Sequence, residues 1–400
     1  MNIAINALIL RRGEYSGVHV AVRGLINAVA EAAGPDERIL LYVQRRPPPG
    51  LPPPTADGRV RHIRPLWPVC WRAGRITWEQ FRLYSRVFAD GVDILHCPAY
   101  VMPHWCLKPT AITVHDMFAL RQPHLCTVSN RSHFQRMLPK SLLRARRVLV
   151  PTAAVRDEII AWNAEQEKRI PDLECKITVI PWGVDERFRP VEDEKQREAL
   201  ALRYGLPPKF VLFVGRPEPK KNLRRLVEAY FAAIMSRKLP HRLVLVGPRG
   251  WGVERGLRRL IEELDIENRV VRLDFVPDAD LPAIYSSASA LAFPSLAEGF
   301  GLPVLEAMAC GTPVICSDIP ALREVAGEAA LLVKGDDLPA LRLAFEEVLG
   351  REETALRLRA AGLARAALFN WQHHGSRTLE VYREVAAADR RRIKDEPVAL

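Results

Sequence analysis

Short, strongly apolar runs alternate with helix-length segments along nearly the whole chain. IAINALI, RILLYV, DILHC, TAITVHD, RVLVPT and KITVIPW lie in the first half; KFVLFVG, HRLVLVG, RVVRLDFV, ALAFPS and TPVICS lie in the second. Helices are predicted between most pairs, for example over residues 17–33, 192–204 and 223–236. This alternation predicts an α/β chain of doubly wound, parallel sheets with helices on both faces. In such sheets the chemistry lies at the carboxyl ends of the strands, so the residues just after each run are the ones to inspect. Four hundred residues exceed what one hydrophobic core usually serves, and two domains of similar size are expected. The segment from Ile180 to Pro190 holds turn residues and two prolines. A charged helix follows it and a fresh strand begins at Phe210, which puts the joint near 185–205. The proline-rich stretch 47–54 reads as an exposed loop, and the charged tail beyond about Asp389 as frayed.

No apolar run approaches the roughly 20 residues of a membrane-crossing helix; even 281–297 is broken by proline and serines. MNIAINALIL lacks a basic start and a small-residue cleavage site, so it reads as a buried first strand instead of a signal peptide. The seven cysteines are odd in number and form no CxxC pair. They read as buried thiols in a reducing cytosol, not as a zinc site or a disulfide framework. Integral membrane, disordered and disulfide-stapled classes are thereby excluded, and a cytoplasmic location is expected.

The net charge of +11 is one-sided. Residues 1–190 carry 27 Lys and Arg against 17 Asp and Glu, a net of +10, whereas residues 191–400 carry 31 against 30. Residues 121–147 hold seven cations (Arg121, Arg131, Arg136, Lys140, Arg144, Arg146, Arg147) and no acid; residues 59–75 hold five arginines and no acid. Such a field attracts a phosphate-rich partner: an anionic lipid surface, a lipid-linked phosphate or nucleic acid. No zinc finger or aromatic RNP-like pattern accompanies it, so no nucleic acid is expected. An anionic membrane surface, met through the basic first domain at the inner face of the cell membrane, is the partner expected instead.

Four segments carry chemistry. PSLAEGFGLPVLE, residues 294–306, runs from a strand through a glycine-containing loop into a helix opened by Pro303. The amides of Phe300, Gly301 and Leu302 face a helix N-terminus suited to hydroxyl or phosphate oxygens. Glu298 and Glu306, with little cation nearby, suit polyol hydroxyls, since one carboxylate accepts two. In the second segment a strand ends at Gly215, followed by Arg216 and then Lys221 leading into a helix; two cations there can clamp a diphosphate. The third, around Ser16 and Gly17, is a small-residue loop before a helix that permits close approach of a phosphate or sugar. The fourth ends a strand in His115-Asp116, a pair able to touch substrate and to accept a proton or hydroxyl. Asp278 and Asp280 have the D-x-D spacing of a metal-binding transferase, but Asp280 precedes a helix and reads as its N-cap. His19, His96 and His104 read as structural.

Arg216 and Lys221, then Val276-Pro-Asp, then Glu298-Gly-Phe-Gly-Leu-Pro-Val-Leu-Glu306, together resemble the retaining GT-B glycosyltransferases of family 4. The likeness covers nearly all of the second half. It extends more loosely into the first through Ser16-Gly17, Asp93-Ile-Leu-His96, Val114-His-Asp116 and Ile180-Pro-Trp-Gly-Val-Asp185, with Trp182 where the family more often has a polar residue. The resemblance implies two Rossmann-like domains facing a cleft. Residues 1–188, joined by a crossover helix over 372–388, would bind acceptor, and 189–371 would bind a nucleotide-diphosphate sugar. It implies that Glu306 holds the ribose hydroxyls, that Val276 belongs to the donor site, and that Glu298 with the Phe300–Leu302 amides (residues 300–302) holds the donor sugar. Arg216 and Lys221 would neutralise the diphosphate, the Ser16-Gly17 loop would approach it, and His115, beside Asp116, would lie next to the reacting sugar. It further implies transfer of a hexose, mannose foremost, to a glycan or a lipid-diphosphate-linked acceptor in cell-surface polysaccharide or lipopolysaccharide synthesis, with retention and with no metal or other cofactor. A sugar-nucleotide epimerase, a phosphorylase or an inactive nucleotide-sugar-binding subunit on the same scaffold is the alternative.

Overall fold

The computed structural model describes residues 1–13, 16–67 and 69–395. Two compact units emerge: Met1–Gly183 with Asn370–Leu400, and Val184–Phe369. The division falls at Gly183 and not at 188, because the Val184 N–H already donates to Phe369 O, 3.1 Å away within the second unit. Trp371, expected in the second unit, belongs to the first, where its backbone N and its ring would both crowd a Cβ on Gly183.

The first unit is a seven-stranded parallel sheet of β1 (Asn2–Asn6), β2 (Arg38–Tyr42), β3 (Val60–Ile63), β4 (Ile94–Cys97), β5 (Thr110–Thr113), β6 (Arg147–Val150) and β7 (Ile177–Val179). Its order is β3-β2-β1-β4-β5-β6-β7. Side chains alternate across β1. Ile3 and Ile5 join one core with Val22, Leu25 and Val29 of the first helix (Gly17–Ala32). Ala4 faces the other core, built with Leu83, Leu138 and Leu142. The closing helix, Trp371–Asp395, seals the Ile3 face with Leu379, Tyr382 and Val385. Glycine makes that closure possible. A Cβ on Gly375 would stand 2.3 Å from Ala28 O, and one on Gly24 would stand 2.3 Å from the Trp371 ring. Instead of fraying at Asp389, the chain stays helical to Asp395.

The second unit is a six-stranded parallel sheet of β8 (Phe210–Val214), β9 (Arg242–Val246), β10 (Val270–Leu273), β11 (Ala290–Phe293), β12 (Val314–Ser317) and β13 (Leu331–Val333), in the order β10-β9-β8-β11-β12-β13. Winding reverses between β1 and β4 in the first sheet and between β8 and β11 in the second. At such a switch point the connections leave in opposite directions and open a crevice at the strands' carboxyl ends.

Cys97, Cys106, Cys310 and Cys316 are buried as expected, but Cys70 and Cys175 are exposed. No helix among the described residues is long and apolar enough to cross a membrane.

Candidate active site

In the second unit the segments after β8 and β11 converge on the switch point. After Gly215 the chain makes a short 3-10 turn, Pro219–Lys221, and then the helix Leu223–Arg237. Leu296 N–H, just past β11, donates to Lys220 O at 2.7 Å and ties the two segments together. Lys221 Nζ therefore reaches Glu298 Oε1 at 2.5 Å and stands 4.6 Å from the centre of the Phe293 ring. Both side chains are largely buried, at 13% and 10% exposure. Burial pushes the Glu298 carboxyl up, but the Lys221 and Lys220 ammonium groups outweigh it and hold it below the usual carboxylate range. The expectation of two carboxylates with little local cation is thus corrected: Glu298 is one half of an ion pair. Arg216 is exposed and has no side-chain partner among the described residues.

Beyond Glu298, Gly301 takes a φ of 105°, and a Cβ there would lie 2.4 Å from Leu322 Cδ2. Only glycine serves at that corner. It starts the helix Leu302–Ala309, with Pro303 in the first turn. The N–H groups of Gly301 and Leu302 find no acceptor among the described residues. Phe300 is buried edge-to-face on Phe369, with ring centres 5.9 Å apart.

Glu306, inside this helix, accepts a 2.8 Å hydrogen bond from Tyr285 Oη. Burial raises its carboxyl to about 7; the Tyr285 bond and Arg187 oppose this, while Asp278 and Asp185 add to it. Arg187 bonds Asp185 at 2.5 Å and lies 3.7 Å from Asp278. Val276 is buried nearby in sequence, in the segment after β10. Asp280 stands at the N-cap position of Leu281–Ser287, yet its side chain caps nothing. It accepts from Tyr204 Oη at 2.5 Å and from Arg203 at 3.1 Å, so the expected cap bond is replaced by a bridge to the preceding charged helix. No group of three or more metal-ligating side chains occurs among the described residues.

In the first unit, Glu14 and Tyr15 of the small-residue loop lie outside the described residues. Ser16 is the N-cap of the first helix: its Oγ accepts from His19 N–H at 3.4 Å and lies 2.6 Å from His19 Nδ1. Gly17 opens that helix, with open space where a Cβ would be. His115 is buried; its Nε2 donates to Pro98 O at 2.7 Å, while Nδ1 has no partner among the described residues. Burial lowers its pKa to about 4, so the ring is neutral at pH 7. Tyr100 and Trp182 flank the ring at 5.1 and 5.3 Å, and with His374 and Thr113 it lines a small cavity. Asp116 is differently placed. It accepts from Tyr100 Oη at 2.6 Å and from Phe118 N–H at 3.3 Å, so both oxygens hold the turn after β5. Tyr285, Phe293 and Arg187 were not legible beforehand, since no motif marks them.

Two family models match the chain. One, described as Glycosyl transferases group 1, matches residues 194–365. The other, Glycosyltransferase Family 4, matches residues 15–188. The chain is 33% identical over 292 residues to the O-antigen chain mannosyltransferase B of Escherichia coli, covering 72% of this chain and 74% of that one. Among solved structures, sucrose-phosphate synthase from Thermosynechococcus elongatus superposes with a TM-score of 0.75 at 24% identity, covering 97% and 99% of the two chains. Anabaena HepE, solved with UDP-glucose, gives 0.68 at 18% identity, covering 96% and 100%.

Proposed function

This chain belongs to glycosyltransferase family 4 and has the GT-B fold, and from that premise we propose that it moves mannose from a nucleotide-diphosphate sugar to a glycan or lipid-diphosphate-linked acceptor of a cell-surface polysaccharide or lipopolysaccharide. The observation that carries this reading is the convergence of Lys221, Glu298 and the opening of the helix Leu302–Ala309 at one switch point. The relative that is an O-antigen mannosyltransferase supports the choice of sugar and pathway. The neighbour solved with UDP-glucose supports a nucleotide-sugar donor.

In glycosyl transfer, positive charge develops on the sugar while negative charge collects on the departing diphosphate. Arg216 and Lys221 stabilise that charge as it develops. Glu306 accepts the ribose hydroxyls, Val276 borders the donor, and Glu298 with the Phe300, Gly301 and Leu302 amides orients the sugar. In the first unit, Ser16-Gly17 offers close backbone approach, and His115 lies beside the reacting sugar. Asp116 fixes the turn that presents His115, a positioning role in place of the proton transfer first expected of it. Transfer proceeds with retention and without a metal: the leaving phosphate helps to deprotonate the acceptor, and the cationic side chains do the work of a divalent ion.

A thermal-shift series with GDP-, UDP- and ADP-sugars tests the donor site. One nucleotide-sugar should stabilise the wild type, and Glu306→Ala and Lys221→Ala should lose most of that response. Transfer should survive chelation of divalent ions. A wild type that no donor stabilises, or variants that respond like it, would refute the assignment.

A further inference from the structure

Large apolar side chains normally fill the interior, yet one face of the first unit turns them outward. Leu107 is 89% exposed and Phe88 75%, and Trp67, Trp71, Phe81 and Trp105 are all more than half exposed. Contacts bring together the elements that carry most of them. Gln80, on the helix Arg72–Phe81, bonds Met102 O at 3.3 Å and receives His104 N–H at 3.1 Å, which seats the Trp105 loop against that helix. Lys108 Nζ stands 5.7 Å from the Phe88 ring on the next helix, Leu83–Ala89. Arg72 reaches Ser129 Oγ at 2.8 Å, bringing in the start of the basic helix Val128–Arg144. Large apolar side chains exposed together on neighbouring elements mark an interaction surface.

Charge identifies the occupant. Arg64 and Arg82 are exposed among these aromatics. The three acids between residues 58 and 115 are all bonded: Glu79 to Asn6 at 3.0 Å, Asp90 to Tyr42 Oη at 2.9 Å, and Asp93 to Asn2 N–H at 2.7 Å. The surface therefore presents cation and aromatic together with almost no exposed carboxylate. Tryptophan rings favour the boundary between headgroups and acyl chains, and arginines favour lipid phosphates.

We propose that this face lies in an anionic lipid leaflet, with Trp67, Trp71, Phe88 and Leu107 inserted below the headgroups and the arginines on the phosphates. The inference deepens the lipid-linked-acceptor part of the proposed function and is independent of the donor site. It adds an apolar, salt-resistant component to the electrostatic attraction expected from the basic residues alone.

The test is flotation of the full-length protein with vesicles of phosphatidylcholine alone and of phosphatidylcholine with phosphatidylglycerol, at low salt and at about 1 M salt, where charge is screened beyond about 3 Å. Wild type should bind the anionic vesicles, retain part of that binding at high salt, and show tryptophan quenching by brominated acyl chains. Trp67→Ser/Trp71→Ser/Phe88→Ser should bind at least tenfold more weakly with its melting temperature unchanged, and Arg64→Gln/Arg82→Gln should lose mainly the low-salt share. Binding that vanishes at high salt, an absence of quenching in the wild type, or no vesicle binding at all would overturn the proposal. So would a wild-type dimer that the serine variant converts to monomer, since a second copy would then cover the face. Transfer to a soluble acceptor, measured in parallel, stands or falls separately and reports on the donor site alone.

Discussion

Replacing Lys221 with Met leaves the Glu298 carboxylate, 2.5 Å from where the ammonium stood and only 10% exposed, without its counter-charge. Breaking one half of a buried pair costs about 3–5 kcal/mol, because the remaining ion keeps its desolvation penalty and loses the attraction. At about 2–4 °C per kcal/mol for a unit of this size, the second unit's melting temperature should fall by at least about 6 °C at pH 7. Glu298→Gln should cost a similar amount by stranding the ammonium. Lys221→Met/Glu298→Gln removes both charges and should recover most of the loss. The pH dependence follows from the signs. In the wild type the Glu298 pKa is held below its unfolded value, so the pair's contribution is present above that value and is lost as pH falls through the folded one. In Lys221→Met the largest charge opposing burial is gone, with only Lys220 and the Ser295 hydrogen bond left against it, so the folded pKa rises and lowering the pH protonates the carboxyl and relieves the penalty. The gap between wild type and Lys221→Met must therefore narrow from pH 7 towards pH 4.5. Calorimetry with nucleotide fluorescence as a second probe measures it. A gap that stays constant with pH, or a double variant as unstable as the sum of the singles, would refute the account of a mutually compensating pair.

Three further outcomes are expected. Because the Glu306 carboxyl ionises near 7 and the ribose needs an acceptor, donor affinity should rise roughly tenfold from pH 6 to pH 8 and stay flat in Glu306→Gln; titration calorimetry decides. The buried His96, His115 and His374 have pKa values lowered to about 3, 4 and 4. The unfolded chain therefore takes up protons between about pH 6.5 and 4 that the folded unit refuses, and the first unit should lose up to about 4 kcal/mol per pH unit over that window. A flat acid-unfolding profile would contradict it, and His374→Gln should make the profile shallower. Gly375→Ala, whose new methyl meets Ala28 O at 2.3 Å, should destabilise the first unit by about 1–3 kcal/mol, seen as earlier urea unfolding.

The sheets were legible at every central strand and at two of the four edges, β7 and β10. The two strands not foreseen, β3 and β13, are each the last in their sheet. One carries an arginine and a histidine that break up its four residues, and the other is only three residues long, at the end of the short apolar run 329–333. Arg216, Lys221, Glu298, Gly301 and Glu306 were legible as candidates because backbone geometry ties chemistry to the ends of strands. Their pairing was not, since Lys221 and Glu298 are 77 residues apart and meet only because β11 inserts beside β8. The spacing around Asp280 suggested a cap, but Tyr204, distant in sequence, competes for the same oxygen. Likewise, composition counts tryptophans without saying which face outward; Trp67, Trp71 and Trp105 became a surface only when their neighbours were known.

The closing helix gives the chain an unusual order of assembly. The early strands of the first unit are sealed by residues made only after the whole second unit, Leu379 to Val385. Between Gly183 and Leu379 nearly 200 residues must emerge, which at about 5–20 residues per second takes about 10–40 s. Throughout that interval the Ile3 and Ile5 face has only the first helix to cover it, while the intervening unit can already have collapsed on its own sheet. A premature stop between Asn370 and Leu379 would thus spare the later-made unit and strand the earlier-made one as a client for chaperones.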